Sequence, residues 1–86
     1  MDSKEDELKK AIDILGDLQE DNLVSRNIKQ KVSAMRSDLE KSKPEEMSLK
    51  INRILSDLEE ISADVNLPLF VRTQVWHLTS ILEKMA

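Results

Sequence analysis

His77 is the single histidine of this chain, and it lies in NLPLFVRTQVWHL, residues 66–78, beside the only Trp (Trp76) and the only Phe (Phe70). A lone imidazole can serve as a general base when a second group orients it or a nucleophile lies within reach. The chain has no Cys and no Tyr, one Gly, and a Gln at position 74, one turn back on the same helical face. His77 is therefore expected on or near the surface, and no catalytic residue is assigned. Carboxylates form two files: Asp13, Asp17 and Glu20, then Asp57, Glu60 and Asp64. A metal centre in a helical bundle needs acids that point inward, commonly joined by Glu-x-x-His. Here the acids flank the apolar stripe, and Glu-x-x-His does not occur. Calcium-loop spacing and glycine-rich phosphate loops are absent as well. No metal and no cofactor is expected.

Positive charge offers a second kind of chemistry. Residues 1–25 sum to −5, residues 26–43 to +4 and residues 44–86 to −3, for a net charge of −4. Arg26, Lys29, Arg36 and Lys43 fall on one flank of the basic segment, the last three seven apart. Such a flank could contact RNA or an acidic partner. Glu40 sits among these residues, four on from Arg36, where the two can pair. No aromatic residue is interleaved for base stacking. Nucleic-acid or ribonucleoprotein contact is accordingly the alternative reading of function.

The elements that position these groups are helical. One Gly, two Pro and 35% charged residues suit helices better than sheets with their many turns. The first helix is expected over residues 3–21, with Ser3 as cap, Asp6 at the third helical position and an apolar stripe of Leu8, Ala11, Ile12, Leu15 and Leu18. Gly16, inside this pattern, costs about 1 kcal/mol against Ala and permits a close approach. Asn22 to Val24 connect to a second helix that Ser25 caps, with Ile28, Val32, Met35 and Leu39 as its stripe and an end near Lys41. Ser42-Lys43-Pro44-Glu45-Glu46 starts a third helix carrying Met47, Ile51, Ile54, Leu58 and Ile61, flanked by Leu55. Asp64 to Asn66 break the pattern, and Pro68, at an expected first helical position, opens a fourth helix with Val71, Val75, Leu78, Leu82 and Met85. No apolar run approaches the ~20 residues that span a bilayer. MDSKEDELKK lacks the apolar centre of a secretory leader. A cytoplasmic protein is expected.

The order of elements contains a repetition. Ile14-Leu15-Gly16-Asp17-Leu18-Gln19-Glu20 aligns with Ile54-Leu55-Ser56-Asp57-Leu58-Glu59-Glu60 forty positions on. Leu39-Glu40-Lys41 aligns with Leu82-Glu83-Lys84 forty-three positions on, as do Ile28 with Val71 and Lys29 with Arg72. Three extra residues in the second interhelix loop are taken to account for the difference. Two tandem helix–loop–helix hairpins, about residues 3–41 and 44–86, cannot each bury an apolar face alone, so they must stack. The expected fold is all-α, a single-domain four-helix bundle. A HEAT-like pair of hairpins is the alternative.

The second half also carries a recognisable pattern. Ile54, Leu55, Asp57, Leu58, Glu60, Ile61, Ser62, Asp64, Asn66, Pro68, Leu69, Arg72, Thr73 and Trp76, together with Arg26, Asn27 and Ile28, resemble a small archaeal family grouped among the uncharacterised protein families, with members near this length. The resemblance covers nearly the whole chain. It implies an all-helical archaeal protein of the cytosol and supplies no activity. Ser25 stands where the family is expected to have proline.

Helix four is richer in apolar residues than one buried face requires. At ~100° per residue, Val71, Val75, Leu78 and Leu82 form its core stripe, Phe70, His77 and Ile81 lie to one side, and Leu69 and Trp76 lie well round on the other. The helix-two equivalents of Leu69, Phe70, Trp76 and Ile81 are Arg26, Asn27, Ser33 and Asp38. Two accounts fit. Helix four is the more enclosed helix, which is the plainer account, or Leu69, Arg72, Thr73 and Trp76 form a surface for self-association, as in a homodimer, or for a protein partner. The function expected is a non-enzymatic protein-interaction or scaffold module that uses helix four, with no membrane contact and no small-molecule substrate.

Overall fold

The computed structural model describes residues 3–86, with side chains from Glu5 onward. The capping expected of Ser3 lies outside the described side chains. Four helices follow one another, α1 (Ser3–Glu20), α2 (Arg26–Lys41), α3 (Pro44–Ser62) and α4 (Leu69–Met85). Each packs against its neighbours in sequence, and α4 returns to α1. The backbones of the diagonal pairs α1–α3 and α2–α4 do not approach closely among the described residues. Stacking HEAT-like hairpins would bring like helices together, so the closed square identifies a four-helix bundle, 36 × 21 × 20 Å. No described helix is long and apolar enough to cross a membrane.

Local chemistry fixes the element ends. Ser25 is extended, and its hydroxyl accepts from the Ile28 N–H at 3.3 Å as the N-cap of α2. Pro44 takes the first turn of α3, where a missing N–H costs no intrahelical bond. Pro68 precedes α4 as its cap instead of opening it as first helical residue, because its ψ of 144° is extended. Its backbone matches that of Ser25, φ −56° against −64°. The first helix ends at Glu20, one residue short of the expected boundary.

The core follows the four stripes and adds to them. Ala11, Leu15 and Leu18, then Ile28, Val32, Met35 and Leu39, then Ile51, Ile54, Leu58 and Ile61, then Val71, Val75, Leu78 and Leu82 are all buried. Leu8, Ile12, Met47, Leu55 and Met85 are only partly buried, against its edge. Ile14, Val24, Leu67 and Ile81 are buried although periodicity did not assign them to the core. Ile81 is buried beside Leu82, which widens the inward side of α4 beyond its four-residue stripe. Val24 and Leu67 are loop residues that plug one end of the bundle.

Those two plugs belong to one turn used twice. The Asp21 carboxylate accepts from the Leu23 N–H at 2.8 Å, and the Asp64 carboxylate from the Asn66 N–H at 2.9 Å. The Val24 and Leu67 N–H groups reach back to the carbonyls of Asp21 and Asp64, each at 3.2 Å. Both are aspartate turns of the kind that replace a backbone turn with a carboxylate. They lie forty-three positions apart, and the same offset carries Ala11 to Ile54, Leu15 to Leu58, Leu18 to Ile61 and Met35 to Leu78. The forty-residue letter match between α1 and α3 is therefore displaced by three, about one helical turn, from the register of the fold. One offset serves both hairpins, and no extra residues are needed in the second interhelix loop, because the Asp21 and Asp64 turns align position for position.

Arg72 secures the second turn. Its Nη1 donates to the Ser62 carbonyl at 2.6 Å and its Nη2 to the Asp64 carbonyl at 2.9 Å. A cationic fork thus satisfies a carbonyl at the end of α3, where no helical N–H remains to do so. Replacing Arg72 by Ala is expected to lower stability by about 1–2 kcal/mol, read as a lower urea midpoint by circular dichroism. Arg72→Lys should recover less than half of that loss, because one ammonium cannot fork across both carbonyls. Full recovery by Lys would contradict the clamp.

Candidate functional site

The four residues proposed as a contact set separate into two kinds. Leu69 is 74% exposed and Trp76 57% exposed, both on the outer face of α4. The account in which α4 is the more enclosed helix fails for these residues and for Phe70, which is also exposed, although it holds for Ile81. The Arg72 guanidinium is held by the α3–α4 turn, and the Thr73 hydroxyl donates to the Leu69 carbonyl at 3.0 Å. Arg72 and Thr73 therefore support the segment, while Leu69 and Trp76 present it. Periodicity overlooked three further exposed apolar residues: Leu49 on α3, and Leu23 and Val65 at the tips of the two aspartate turns. With Leu69 and Phe70, the two tip residues place four large apolar side chains at the loop end of the bundle.

Between α3 and α4 runs a groove of about 450 Å³. Trp76, Thr79 and Glu83 line it from α4, and Leu55, Glu59 and Ser62 from α3. The Thr79 hydroxyl turns back to donate to the Val75 carbonyl at 2.9 Å, so it does not reach across. Trp76 is thus both exposed and a wall of a cleft.

The basic flank of α2 is less uniform than its spacing suggested. Arg26 and Lys43 are exposed and Lys29 is half-buried. They span the length of α2, roughly 24 Å at 1.5 Å per residue. Arg36 is half-exposed and engaged by neighbours of its own chain. Its Nε donates to Glu40 Oε1 at 2.8 Å, and its Nη1 to Gln19 Oε1 of α1 at 2.9 Å. The guanidinium lies over Gly16, where an added Cβ would sit 3.3 Å from Nη1. In place of the close helix approach expected at Gly16, the space over it is taken by this side chain.

His77 is exposed, as are Asp13, Asp17, Glu20, Glu60 and Asp64, while Asp57 is half-buried. Among the described residues no three His, Asp or Glu side chains gather as metal ligands would. The two acidic files lie on the outside of the bundle.

Residues 1–85 match the profile of the uncharacterised protein family UPF0147. The chain belongs to that family. A UPF0147 protein of Archaeoglobus fulgidus is 38% identical over 79 residues, covering 92% of this chain and 88% of its own. UPF0147 proteins of Methanosarcina acetivorans and Methanothermobacter thermautotrophicus are 36% and 34% identical, covering 88% and 85% of this chain and 77% and 71% of their own. The archaeal resemblance of the sequence is thereby confirmed over nearly its full length. No solved structure matches this UPF0147 chain.

Gly16 offers a direct check on how firmly Arg36 is held. In Gly16→Ala the helix gains propensity of about 0.5–1 kcal/mol, and the added methyl meets only the far end of a long side chain. The variant is expected to melt a few degrees higher, at roughly 4–8 °C per kcal/mol for a domain of this size. A lower melting temperature would mean that the guanidinium cannot give way.

Proposed function

We propose that this chain is a non-enzymatic protein-interaction module of the archaeal cytosol whose contact surface is the outer face of α4. One observation carries the reading. Leu69 and Trp76, seven residues apart, stand exposed on α4, where the corresponding positions of α2 hold Arg26 and Ser33. Water-exposed Trp next to a cleft is the kind of side chain that anchors interfaces, since it combines a large apolar area with few rotamers to freeze. Burying both residues against a partner would remove from water the apolar surface that α4 leaves open along its outer face. The nucleic-acid alternative has thinner support, because the Arg36 guanidinium of the four-residue flank is already paired with Glu40 and Gln19.

Trp76→Ala is expected to retain the helical circular dichroism and to lose no more than about 1 kcal/mol of stability, as exposed positions do. It should also abolish a specific crosslink formed by the wild-type protein in extracts of its host. Unchanged crosslinks together with unchanged mass by light scattering would show that this face is no interface.

A further inference from the structure

The molecule contains the α3–α4 groove twice, once filled and once open. Moving back forty-three positions turns Glu59 into Gly16, Ser62 into Gln19, Trp76 into Ser33, Thr79 into Arg36 and Glu83 into Glu40. Three of those counterparts, Gly16, Gln19 and Glu40, lie around the guanidinium of a fourth, Arg36. It rests on Gly16, donates to Gln19 and pairs with Glu40. In the second hairpin the carboxylate of the pair is kept as Glu83, and the arginine is replaced by Thr79, whose hydroxyl is turned to its own helix. Gly16, the floor beneath the guanidinium, is replaced by a second carboxylate, Glu59. Serine 33 is replaced by the Trp76 ring.

We infer that the α3–α4 groove is a receptor for an arginine side chain presented by a partner protein, seated over Thr79 between the Trp76 ring and the carboxylates of Glu59 and Glu83. This rests on the reading of α4 as an interaction surface and names what that surface recognises. Three things favour arginine. The filled groove of the same fold holds a guanidinium. The open one has two acids and no base among its lining residues. A guanidinium can stack on an indole while its edge donates to a carboxylate, which an ammonium does less well. A separate partner fits the charge better than a second copy. Two-fold pairing across this groove would bring the Glu59 and Glu83 of each copy toward those of the other, and like charges in an interface are costly.

Trp76 is the only Trp of a chain without Tyr, so its fluorescence reports the groove directly. The probes are a capped alanine helix bearing arginines and the same helix bearing lysines. The arginine peptide is expected to change Trp76 emission saturably. The lysine peptide should bind about fivefold more weakly, and Glu83→Gln should weaken the arginine peptide by about the same factor, the size of one exposed charge pair. Thr79→Arg, which restores on α4 the arginine of α2, should abolish binding by filling the groove from within. Should Thr79→Arg fail to fold, the Glu59→Gln/Glu83→Gln double variant must remove arginine selectivity. Equal binding of both peptides, no saturable change, or binding untouched by the variant that folds overturns the inference. A dimer mass lost in Thr79→Arg also overturns it, because the arginine would then come from a second copy. If Trp76→Ala still removes the host crosslink while the peptides show no selectivity, the α4 surface stands and arginine recognition falls. If both tests are negative, both readings fall.

Discussion

The fold depends on the seam between α1 and α4. Each hairpin offers an aliphatic stripe on both of its helices, and two helices alone leave half of each stripe in water. Closing α4 onto α1 makes a square in which every stripe meets two others, so Leu15, Leu18, Leu78 and Leu82 are all essentially inaccessible to solvent. At ~25 cal/mol per Å² of apolar surface removed from water, such burial is the main favourable term a chain of this size has. Among the described residues the core holds no buried polar or charged side chain. With no polar key inside, the relative alignment of the helices falls to their ends. That explains why the aspartate turns and the Arg72 fork are so fully hydrogen-bonded.

Much of this was legible in the sequence, for physical reasons. A stripe such as Ile28, Val32, Met35 and Leu39 has one interpretation, because only a helix gathers that spacing on one side. Prolines 44 and 68 and Ser25 mark boundaries because each restricts or satisfies the backbone locally. What failed needed tertiary information. Burial of Val24 and Leu67 follows from loops folding over the end of the bundle, and burial of Ile81 from an inward side of α4 wider than its stripe. The exposure of Trp76 could not be separated from enclosure by periodicity, since a ring on the flank of a helix suits either.

The register error has a simpler origin. Residues three apart lie on nearly the same helical face, so α1 can be matched to α3 at an offset of forty or forty-three with similar apolar agreement. Identical letters favoured forty, buried positions suit forty as well as forty-three, and the paired aspartate turns decide for forty-three. Only the second offset sets Arg36 against Thr79 and Gly16 against Glu59. The comparison of the two grooves was therefore hidden behind a shift of one turn, although every residue in it was visible. Of the candidate contact set, Leu69 and Trp76 were legible as the departures of α4 from α2. The structural duty of Arg72 was not, because its partners are carbonyl oxygens and carry no mark in the sequence.

The single offset bears on the two-residue connection at Ser42 and Lys43. Exchanging α1 with α3 and α2 with α4 turns the α1–α4 seam into the α2–α3 seam, so the order of helices around the square is the same from either hairpin, although the α1–α4 seam is the more extensive. That is the geometry of an isologous interface, the kind that joins the subunits of a two-fold homodimer. Within one chain the bundle has the internal logic of a dimer of hairpins, and the connection sets their stoichiometry at one to one. Covalent linkage also frees the halves to differ. Only in a joined chain can one copy keep an arginine in its groove while the other carries a tryptophan beside an open one.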